Sequence, residues 1–339
     1  MRVLIVKTSS MGDVIHTLPA VTDAKRACPW IEFDWVVEDS FAEIPRWHPG
    51  VDTVIPVAIR RWRKEIFKTI ASVEWKEFRT TLHKQHYDLV IDAQGLLKSA
   101  WVARLANAPT AGYDKTSVRE RLAAMTYQHQ YGVPKEMHAV ERIRHLFALA
   151  LDYPKPETKG SYGIELSRFC STTPEAPNVV LLHGTTRHDK HYPEEYWQTL
   201  VNTLTQQNIR VRLPWGNEAE KDRAYRLAEG NAEVQVLPKL NLNGVAAVLA
   251  QATAVVAVDT GLGHLSAALD IPTVSLYGPT RPLLIGAYGE NQIHLCAEDC
   301  PPVAHKADPE IFSPLTPERV MAVLQPLLPL TETLHDSGV

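Results

Sequence analysis

The segment from Asp259 to His264 places a carboxylate, a hydroxyl and an imidazole within six residues, with glycines between them. It follows an apolar run over 254–258 and precedes a helix-like stretch. In a strand–loop–helix unit the first helical N–H groups lack intrahelical partners, and the positive helix end attracts phosphate. Gly261 and Gly263 would let an anion approach the backbone closely. The pattern indicates a phosphate-bearing ligand, and an ordinary tight turn is the alternative.

A second carboxylate, Asp13, comes shortly after the first apolar run of the chain, residues 2–6. At the carboxyl end of a strand, such a side chain can serve as a general base. An ordinary aspartate has a pKa of about 3.9 and is ionised at neutral pH. A helix N-cap is the alternative role for Asp13.

A third polar segment, 183–191, follows the first apolar run of the second half and carries the hydroxyls of Thr185 and Thr186. Its Lys190 could neutralise a diphosphate, and a solvated charged loop is the alternative. Glu220 opens a predicted helix further along. An acid in the first turn suits the helix dipole, and a ribose contact is the functional alternative.

A dense basic run over 60–64 contains Arg60, Arg61, Arg63 and Lys64. The chain as a whole has a net charge of −4, which argues against general nucleic-acid binding. Further arginines of the same half could join the run in gripping a ligand with several negative charges; they are Arg119, Arg142 and Arg144. A solvated helix start is the alternative.

Several common sites are missing from the pattern. A dinucleotide site needs Gly-x-Gly-x-x-Gly after the first strand, and only Gly12 is present, although Glu38 or Asp39 could mimic the ribose-binding acid. There is no Walker A pattern. No Asp-x-Asp follows a strand, so we expect no divalent metal at a nucleotide diphosphate.

The cysteines Cys28, Cys170, Cys296 and Cys300 fit no zinc template. Reduced thiols are therefore expected, as in the cytoplasm. The first apolar run is interrupted by Lys7 and is too short for a signal peptide. No run approaches the roughly 18 apolar residues of a transmembrane helix. We expect a soluble protein and leave attachment to a membrane surface open.

The 339 residues, of which 45% are hydrophobic, suggest about two domains. Strand-like and helix-like stretches alternate in both halves, which predicts two parallel α/β domains. Expected strands are 2–6, 32–37, 52–56, 87–92, 179–182, 209–213, 234–237, 254–258 and 273–277. Expected helices are 64–86, 95–106, 117–127, 138–151, 193–207, 217–229 and 242–252.

The predicted division of the chain places an N-terminal domain over 1–155 and a linker over 156–177. A C-terminal domain covers 178–312. A helix and tail over 313–339 could pack back on the N-terminal domain. Ligands of open α/β sheets bind beyond the carboxyl ends of the strands, so two Rossmann-like domains would face each other across a cleft.

Six motifs along the chain together resemble the lipopolysaccharide heptosyltransferases of glycosyltransferase family 9. They are Gly12-Asp13-Val14-Ile15-His16-Thr17-Leu18-Pro19, Asp92-Ala93-Gln94-Gly95, Lys190-His191-Tyr192-Pro193, Leu213-Pro214-Trp215-Gly216, Asp259-Thr260-Gly261 with His264, and Tyr277-Gly278-Pro279-Thr280. The resemblance extends from residue 2 to about 325. It implies the GT-B fold and an inverting transfer that needs neither a metal nor a cofactor. The implied donor is ADP-L-glycero-β-D-manno-heptose, a sugar nucleotide expected to bind the C-terminal domain over 178–312. The implied acceptor is Kdo2-lipid A, expected to bind the N-terminal domain over 1–155.

The resemblance also assigns roles to single residues. Asp13 matches the general base, and Lys190 is expected to be both catalytic and donor-binding. The donor-binding positions are Thr185, Thr186, Lys190, Glu220, Asp259, Thr260, Gly261 and His264. The acceptor-binding positions are Arg60, Arg61, Arg63, Lys64, Arg119 and Arg142. Gly263 and Arg281 depart from the family pattern, which has serine and an acidic residue there.

The expected protein is therefore a cytoplasmic glycosyltransferase held peripherally at the cytoplasmic face of the inner membrane, with no nucleic-acid partner. Another GT-B heptosyltransferase or sugar-nucleotide enzyme, such as an epimerase, would share the donor site without the basic run. An NAD-dependent dehydrogenase would need the missing glycines. A binding module without catalysis would bind ADP without turnover.

Overall fold

The computed structural model describes residues 1–169 and 176–329. Its contacts divide the chain into a first unit, Met1–Glu165 with Leu283–Ile285, and a second unit, Leu166–Pro282 with the residues from Gly286 onward. Cys170, part of the expected linker and the last ten residues of the expected tail lie outside the described residues. Each unit is built around one parallel sheet, as the alternating pattern predicts.

The first sheet has six strands. They are β1 (Arg2–Val6), β2 (Glu32–Glu38), β3 (Thr53–Val57), β4 (Leu89–Asp92), β5 (Thr110–Tyr113) and β6 (His129–Tyr131). The helices of this part are α1 (Met11–Ile15), α2 (Leu18–Ala27), α3 (Glu43–Arg46), α4 (Ile59–Trp62), α5 (Ile66–Ala71), α6 (Val73–Leu82), α7 (Leu97–Leu105), α8 (Arg121–Ala124) and α9 (Ala139–Ala150).

The second sheet also has six strands. They are β7 (Asn178–Leu182), β8 (Arg210–Leu213), β9 (Val234–Val236), β10 (Ala254–Val258), β11 (Thr273–Tyr277) and β12 (Gln292–Cys296). The helices that follow along the chain are α10 (Glu194–Gln206), α11 (Glu218–Ala228), α12 (Leu242–Ala250), α13 (Gly261–Ala268), α14 (Pro282–Ile285) and α15 (Pro317–Leu324).

The two sheets repeat one topology. The first has the order β3-β2-β1-β4-β5-β6, and the second has the order β12-β11-β10-β7-β8-β9, which is the same order when its strands are counted from β7. All strand pairs are parallel. The strand order reverses between β1 and β4 in one unit and between β7 and β10 in the other. Such switch points open a crevice beyond the carboxyl ends of the strands, where ligands bind.

The central strands are continuous apolar runs because helices cover both faces of a parallel sheet. β1 from Val3 to Val6 and all of β10 are buried. The strands that the sequence pattern did not predict are β5, β6 and β12. Two of them lie at sheet edges, and their mixed sequences, such as the largely exposed His129-Gln130-Tyr131, lack a continuous apolar run.

The predicted helices also change in detail. The expected helix over 64–86 is two helices, α5 and α6, separated at Ser72. The Ser72 hydroxyl accepts a hydrogen bond from the Trp75 N–H at 3.1 Å and so caps α6. The expected helix over 117–127 is reduced to α8, while α1 and α2 were not predicted.

The C-terminal helix belongs to the second unit. Val320 and Leu324 of α15 are fully buried in the same hydrophobic core as Trp197 of α10 and Leu276 of β11. The Tyr192 hydroxyl donates to the Leu315 carbonyl at 2.6 Å and holds the chain just before this helix. The apolar stripe of α15 is therefore buried within the second unit; that the helix and tail over 313–339 also pack back on the N-terminal domain stays a prediction.

Candidate active site

In the first unit, Asp13 lies in the first turn of α1, directly beyond the carboxyl end of β1. Its Oδ2 accepts hydrogen bonds from the Ser10 N–H at 2.8 Å and the Ser10 hydroxyl at 2.9 Å. Ser10 is the N-cap residue, so Asp13 is the third residue of the helix and not its N-cap. The Asp13 side chain remains 34% exposed, which leaves the carboxylate within reach of a ligand.

The charge beside Asp13 is that of Lys7, the residue that directly follows β1. Its Nζ lies 3.7 Å from Asp13 Oδ1 and donates to the Ala93 carbonyl at 2.9 Å. Burial would raise the pKa of Asp13, but the Lys7 ammonium and the Ser10 hydrogen bonds outweigh it and hold that pKa below its usual value. Burial in turn lowers the pKa of Lys7. The arrangement provides an ionised carboxylate at the switch point.

The Asp92-Ala93-Gln94-Gly95 motif braces this loop from β4. The Gln94 Oε1 accepts from both the N–H and the hydroxyl of Thr8 at 2.8 Å, and its Nε2 donates to the Ser9 carbonyl at 2.9 Å. Asp92 is fully buried and accepts four hydrogen bonds, including one from the Tyr127 hydroxyl at 2.7 Å. Gln94 therefore positions the loop that carries Asp13, a role that the local sequence did not reveal.

Cationic side chains from three further strand ends gather near Asp13. The Arg119 charge, beyond β5, contributes to the lowered pKa of Asp13. Lys98, beyond β4, donates from Nζ to the Ser9 hydroxyl at 3.2 Å. Burial lowers the pKa of Lys98, and the charges of Arg60 and Arg63, beyond β3, lower it further. The Glu38 and Asp13 carboxylates oppose this shift. Lys98 was missed because it stands alone on a predicted helix, far along the chain from the basic run.

The other predicted acceptor residues differ in their surroundings. Arg61 binds Glu74 at 2.5 Å and lies 3.6 Å from Asp39, so its charge is balanced within the unit. Lys64 is exposed. Arg142 stacks over the Tyr113 ring at 4.9 Å and donates to the Ser117 carbonyl at 2.6 Å.

Two further side chains of the first unit, Trp62 and Arg144, have structural roles and are not available to a ligand. Trp62, within the basic run, is buried against Trp75 and Phe78. Arg144 is buried in ion pairs with Asp23 and Glu141 and so lies in the interior of the unit.

In the second unit, Lys190 and Asp259 meet at the switch point between β7 and β10. Lys190 Nζ lies 2.5 Å from Asp259 Oδ2, and the Asp259 side chain is only 9% exposed. The Thr185 hydroxyl donates to the Asp259 carbonyl at 3.3 Å, which ties the same two loops together. Thr186 is exposed beside it. The structure thus brings together side chains that are 69 residues or more apart in the sequence.

Glu220 connects the β7 loop to the β8 loop. Its Oε2 accepts from the Gly216 N–H at 2.7 Å, and Asn217 caps its helix through the Glu220 N–H at 3.0 Å. A Cβ atom on Gly184 would lie 2.6 Å from the Glu220 carboxyl carbon, so a larger residue there would displace the Glu220 carboxylate. Glu220 is half-buried at the carboxyl edge of the sheet, next to Trp215, whose ring lies under the Lys221 ammonium at 5.2 Å.

Helix α13 begins at Gly261 with Thr260 as its N-cap, and Thr260 and Gly261 are half-buried. The N–H groups of Gly263 and His264 bond to the Thr260 carbonyl, while those of the first turn before them lie at the helix end, where an anion is favoured. His264 is buried in this first turn.

The two departures from the family pattern have different surroundings. A Cβ at Gly263 would lie 3.2 Å from the Ala257 Cβ, so a serine would press on β10. Arg281 is exposed and, with Glu298 and Ile311, lines a cavity of about 370 Å³ beyond β11 and β12.

A polar network beneath the β7 loop was also missed. Arg223 on α11 donates from Nη1 to the His183 carbonyl at 3.1 Å and to His191 Nδ1 at 2.9 Å. An arginine can only donate, so the bond requires His191 to be unprotonated at Nδ1. Burial, followed by the Arg223 charge, lowers the pKa of His183 to about 4. Both imidazoles are thereby kept neutral beside the Lys190 loop.

Within residues 1–169 and 176–329, no group of three or more His, Cys, Asp or Glu side chains is placed to hold a metal ion. Cys28, Cys296 and Cys300 are free thiols. No helix in these ranges is long and apolar enough to cross a membrane.

Two parallel six-stranded sheets of Rossmann order in one chain are the architecture of the GT-B fold. The model of the glycosyltransferase family 9 (heptosyltransferase) matches residues 75–313. The chain therefore belongs to this family, and it is a glycosyltransferase.

Individual relatives and solved structures agree with this family assignment. Lipopolysaccharide heptosyltransferase 1 of Pseudomonas aeruginosa is 53% identical over 355 aligned residues, which cover 99% of this chain and 100% of that protein. The solved E. coli heptosyltransferase WaaC with ADP is 51% identical, has a TM-score of 0.87 and is matched over 96% of this chain and 100% of that one. The same enzyme with ADP-2-deoxy-2-fluoro heptose gives a TM-score of 0.85 at 51% identity, over 96% and 99%.

Proposed function

We propose that this chain transfers L-glycero-D-manno-heptose from ADP-L-glycero-β-D-manno-heptose to the Kdo of Kdo2-lipid A in synthesis of the lipopolysaccharide inner core. The observation that carries the proposal is the ionised, accessible Asp13 among cations from four strand ends of the first unit. The relatives named lipopolysaccharide heptosyltransferase 1 support the reaction. The WaaC structures with ADP and an ADP-heptose analogue support the donor.

In the proposed step, Asp13 accepts the proton of the acceptor hydroxyl as that oxygen bonds to the anomeric carbon of the heptose. The bond from that carbon to the diphosphate oxygen breaks, and ADP leaves with the electron pair. Attack from the face opposite ADP inverts the anomeric centre. The neighbouring Lys7 keeps the carboxylate ionised before the reaction. A carboxylate with a low pKa can act as the base because the hydroxyl becomes acidic only as the new bond forms.

The donor is proposed to bind the second unit without a metal or cofactor. Lys190 would leave part of its contact with Asp259 to meet the diphosphate, and so would stabilise the charge of departing ADP. The first turn of α13 would offer its N–H groups to a phosphate. Thr185, Thr186, Thr260, Gly261 and His264 would line this phosphate site, and Glu220 would accept from the ribose hydroxyls.

The acceptor is proposed to bind the first unit through its negative charges. Arg60, Arg63 and Arg119 act electrostatically on the surroundings of Asp13. Guanidinium groups bind phosphates and carboxylates in two-pronged fashion, which suits a ligand that carries both. Because that ligand is a membrane lipid, we propose that the protein works peripherally at the cytoplasmic face of the inner membrane, without a nucleic-acid partner.

The decisive experiment is an assay of the purified chain with ADP-heptose and de-acylated Kdo-lipid A. We expect release of ADP that requires the acceptor, survives EDTA and yields a product with inverted anomeric configuration by NMR. UDP-glucose in place of ADP-heptose serves as the control donor. ADP release that is independent of the acceptor would contradict the transfer reaction. Activity that EDTA abolishes and magnesium or manganese restores would contradict the metal-free donor site.

A further inference from the structure

The segment over 59–76, which contains α4 and α5 and leads into α6, exposes large apolar side chains between basic ones. Phe67 is 91% exposed, Ile70 is 56% exposed and Val73 is 69% exposed. Phe67 and Ile70 are three residues apart on α5 and therefore share a face of the helix. Burying such side chains within the protein would be favourable, so their exposure points to a surface that is covered in use.

The charge of this segment is the opposite of that of the whole chain. It contains six basic residues and two acidic ones, an excess of four positive charges on a chain of net charge −4. Both acidic side chains are held in ion pairs, Glu65 with Lys68 at 3.0 Å and Glu74 with Arg61 at 2.5 Å. Exposed phenylalanine and isoleucine among lysines and arginines are typical of a surface that lies in the interface of an anionic bilayer.

The packing below the segment fixes its orientation in the first unit. Trp62 and Trp75 are buried in the hydrophobic core under α4 and α6. Trp101 of α7, still 48% exposed, stacks on Trp75 at 5.5 Å and adds an aromatic ring of the kind that favours membrane interfaces. The exposed apolar side chains of the segment are therefore attached to helices whose inner faces are packed into the hydrophobic core.

The segment follows β3 at the carboxyl edge of the first sheet, the edge at which Asp13 lies. We infer that residues 59–76 are the surface by which this protein docks on an anionic lipid bilayer, with Phe67 and Ile70 inserted among the acyl chains and Lys68 and Lys76 against the headgroups. Docking here would turn the Asp13 edge of the unit toward the membrane. Binding to the bilayer does not depend on the proposed function. Only the purpose of this binding rests on it, because an acceptor in the bilayer must be reached from that side.

The test is flotation of the purified chain with vesicles of phosphatidylglycerol and phosphatidylethanolamine that contain no acceptor. We expect the wild-type protein to float with these vesicles, and binding to fall as salt rises. Phe67→Ser with Ile70→Ser should weaken binding about tenfold or more, because both side chains lose burial in lipid. Trp30→Ser is the matched control: Trp30 is 67% exposed in the same unit but precedes β2, at the opposite edge of the sheet.

The charges can be tested separately with Lys68→Glu and Lys76→Glu, which should weaken binding to phosphatidylglycerol vesicles and leave binding to phosphatidylcholine unchanged. Wild-type protein that ignores acceptor-free vesicles, or a Phe67/Ile70 double variant that floats like wild type, would overturn the inference. Flotation only when Kdo2-lipid A is present would overturn it in favour of contact with the acceptor's own acyl chains.

The same double variant should turn over de-acylated acceptor at the wild-type rate. If the proposed function is wrong, the wild-type protein will transfer no heptose to the de-acylated acceptor. That result is independent of whether the protein binds vesicles.

Discussion

The two switch points of this protein share a topology and a pair of charges but differ in what they leave accessible. In the first unit, Lys7 is buried and stands 3.7 Å from Asp13, whose side chain is 34% exposed. In the second unit, Asp259 is only 9% exposed and is held by Lys190 at 2.5 Å. In the first unit the anion is the more exposed partner of the pair, and in the second unit the cation is. The comparison teaches that the strand order fixes where each charged pair lies, while the packing around the pair decides which of its two side chains is accessible.

The largest effect should follow from removing the charge of Asp13. Asp13→Asn keeps an acceptor for the Ser10 N–H but removes the basic group, so we expect turnover to fall on the order of 10²–10⁴-fold. The affinity for ADP should stay close to wild type, because the donor is proposed to bind the second unit. Steady-state kinetics together with calorimetric ADP titration measure both. Wild-type turnover in this variant would remove Asp13 as the base.

A smaller effect is expected at the other switch point. Lys190→Ala removes the ammonium proposed to meet the diphosphate, and ADP affinity should fall about ten- to a hundredfold, as for a lost hydrogen bond to a charged group. Arg187→Ala is the control, since Arg187 on the same loop is exposed and paired with Asp189. Equal ADP affinity in both variants, measured by the same titration, would show that Lys190 does not bind the diphosphate.

The basic run offers a finer distinction within the first unit. Arg60→Ala with Arg63→Ala should raise the acceptor KM about tenfold, and this KM should depend less on ionic strength than that of the wild type. Arg61→Ala should raise it less, because Arg61 is engaged by Glu74 and Asp39. Titrations of acceptor and of ADP on each variant make the comparison. A double variant with a wild-type acceptor KM would mean that the run is only a solvated face.

The subtlest effect concerns pH. The Lys7 charge holds the pKa of Asp13 below its usual value, so activity that requires ionised Asp13 should persist to pH below the ordinary aspartate range and be lost as pH falls through that pKa. Lys7→Met removes the charge and should move the acid limb of the pH–rate profile to higher pH. The donor KM at neutral pH serves as the internal control. An acid limb that stays in place would show that Lys7 does not tune the base.

Much of the fold could be predicted from local patterns. β1, β10 and β11 have the predicted bounds because each is an apolar run ended by polar or glycine residues. β6 and β12 could not be predicted, since a short edge strand of mixed sequence forms only because its neighbour supplies the hydrogen bonds. The expected long helix over 64–86 failed at Ser72, where a side-chain cap starts a new helix.

The candidate site residues also divide into those that a local pattern indicates and those that only contacts with distant segments reveal. The family membership, and with it the glycosyltransferase activity, could be predicted from short motifs whose chemistry is local, such as the loops that carry Asp13 and Asp259. The roles of the individual site residues stay predictions. Lys98 and Arg223 escaped notice, and Gln94 stood in a motif without an assigned role, because each acts through contacts with residues more than 30 positions away. A lone lysine or glutamine carries no local sign of such a partner.

The sequence by itself determined the two parallel α/β units, the loops at the strand ends and the run of basic residues over 60–64. These follow from hydrophobic periodicity and from turn and cap chemistry, which act over a few residues. Only the tertiary structure decided that Lys7 stands beside Asp13 and that Arg61, unlike Arg60, is balanced by Glu74. It also buried Trp62 while exposing Phe67. Burial and the distances between charges arise from the packing of distant segments, and those quantities set which side chains are free to react.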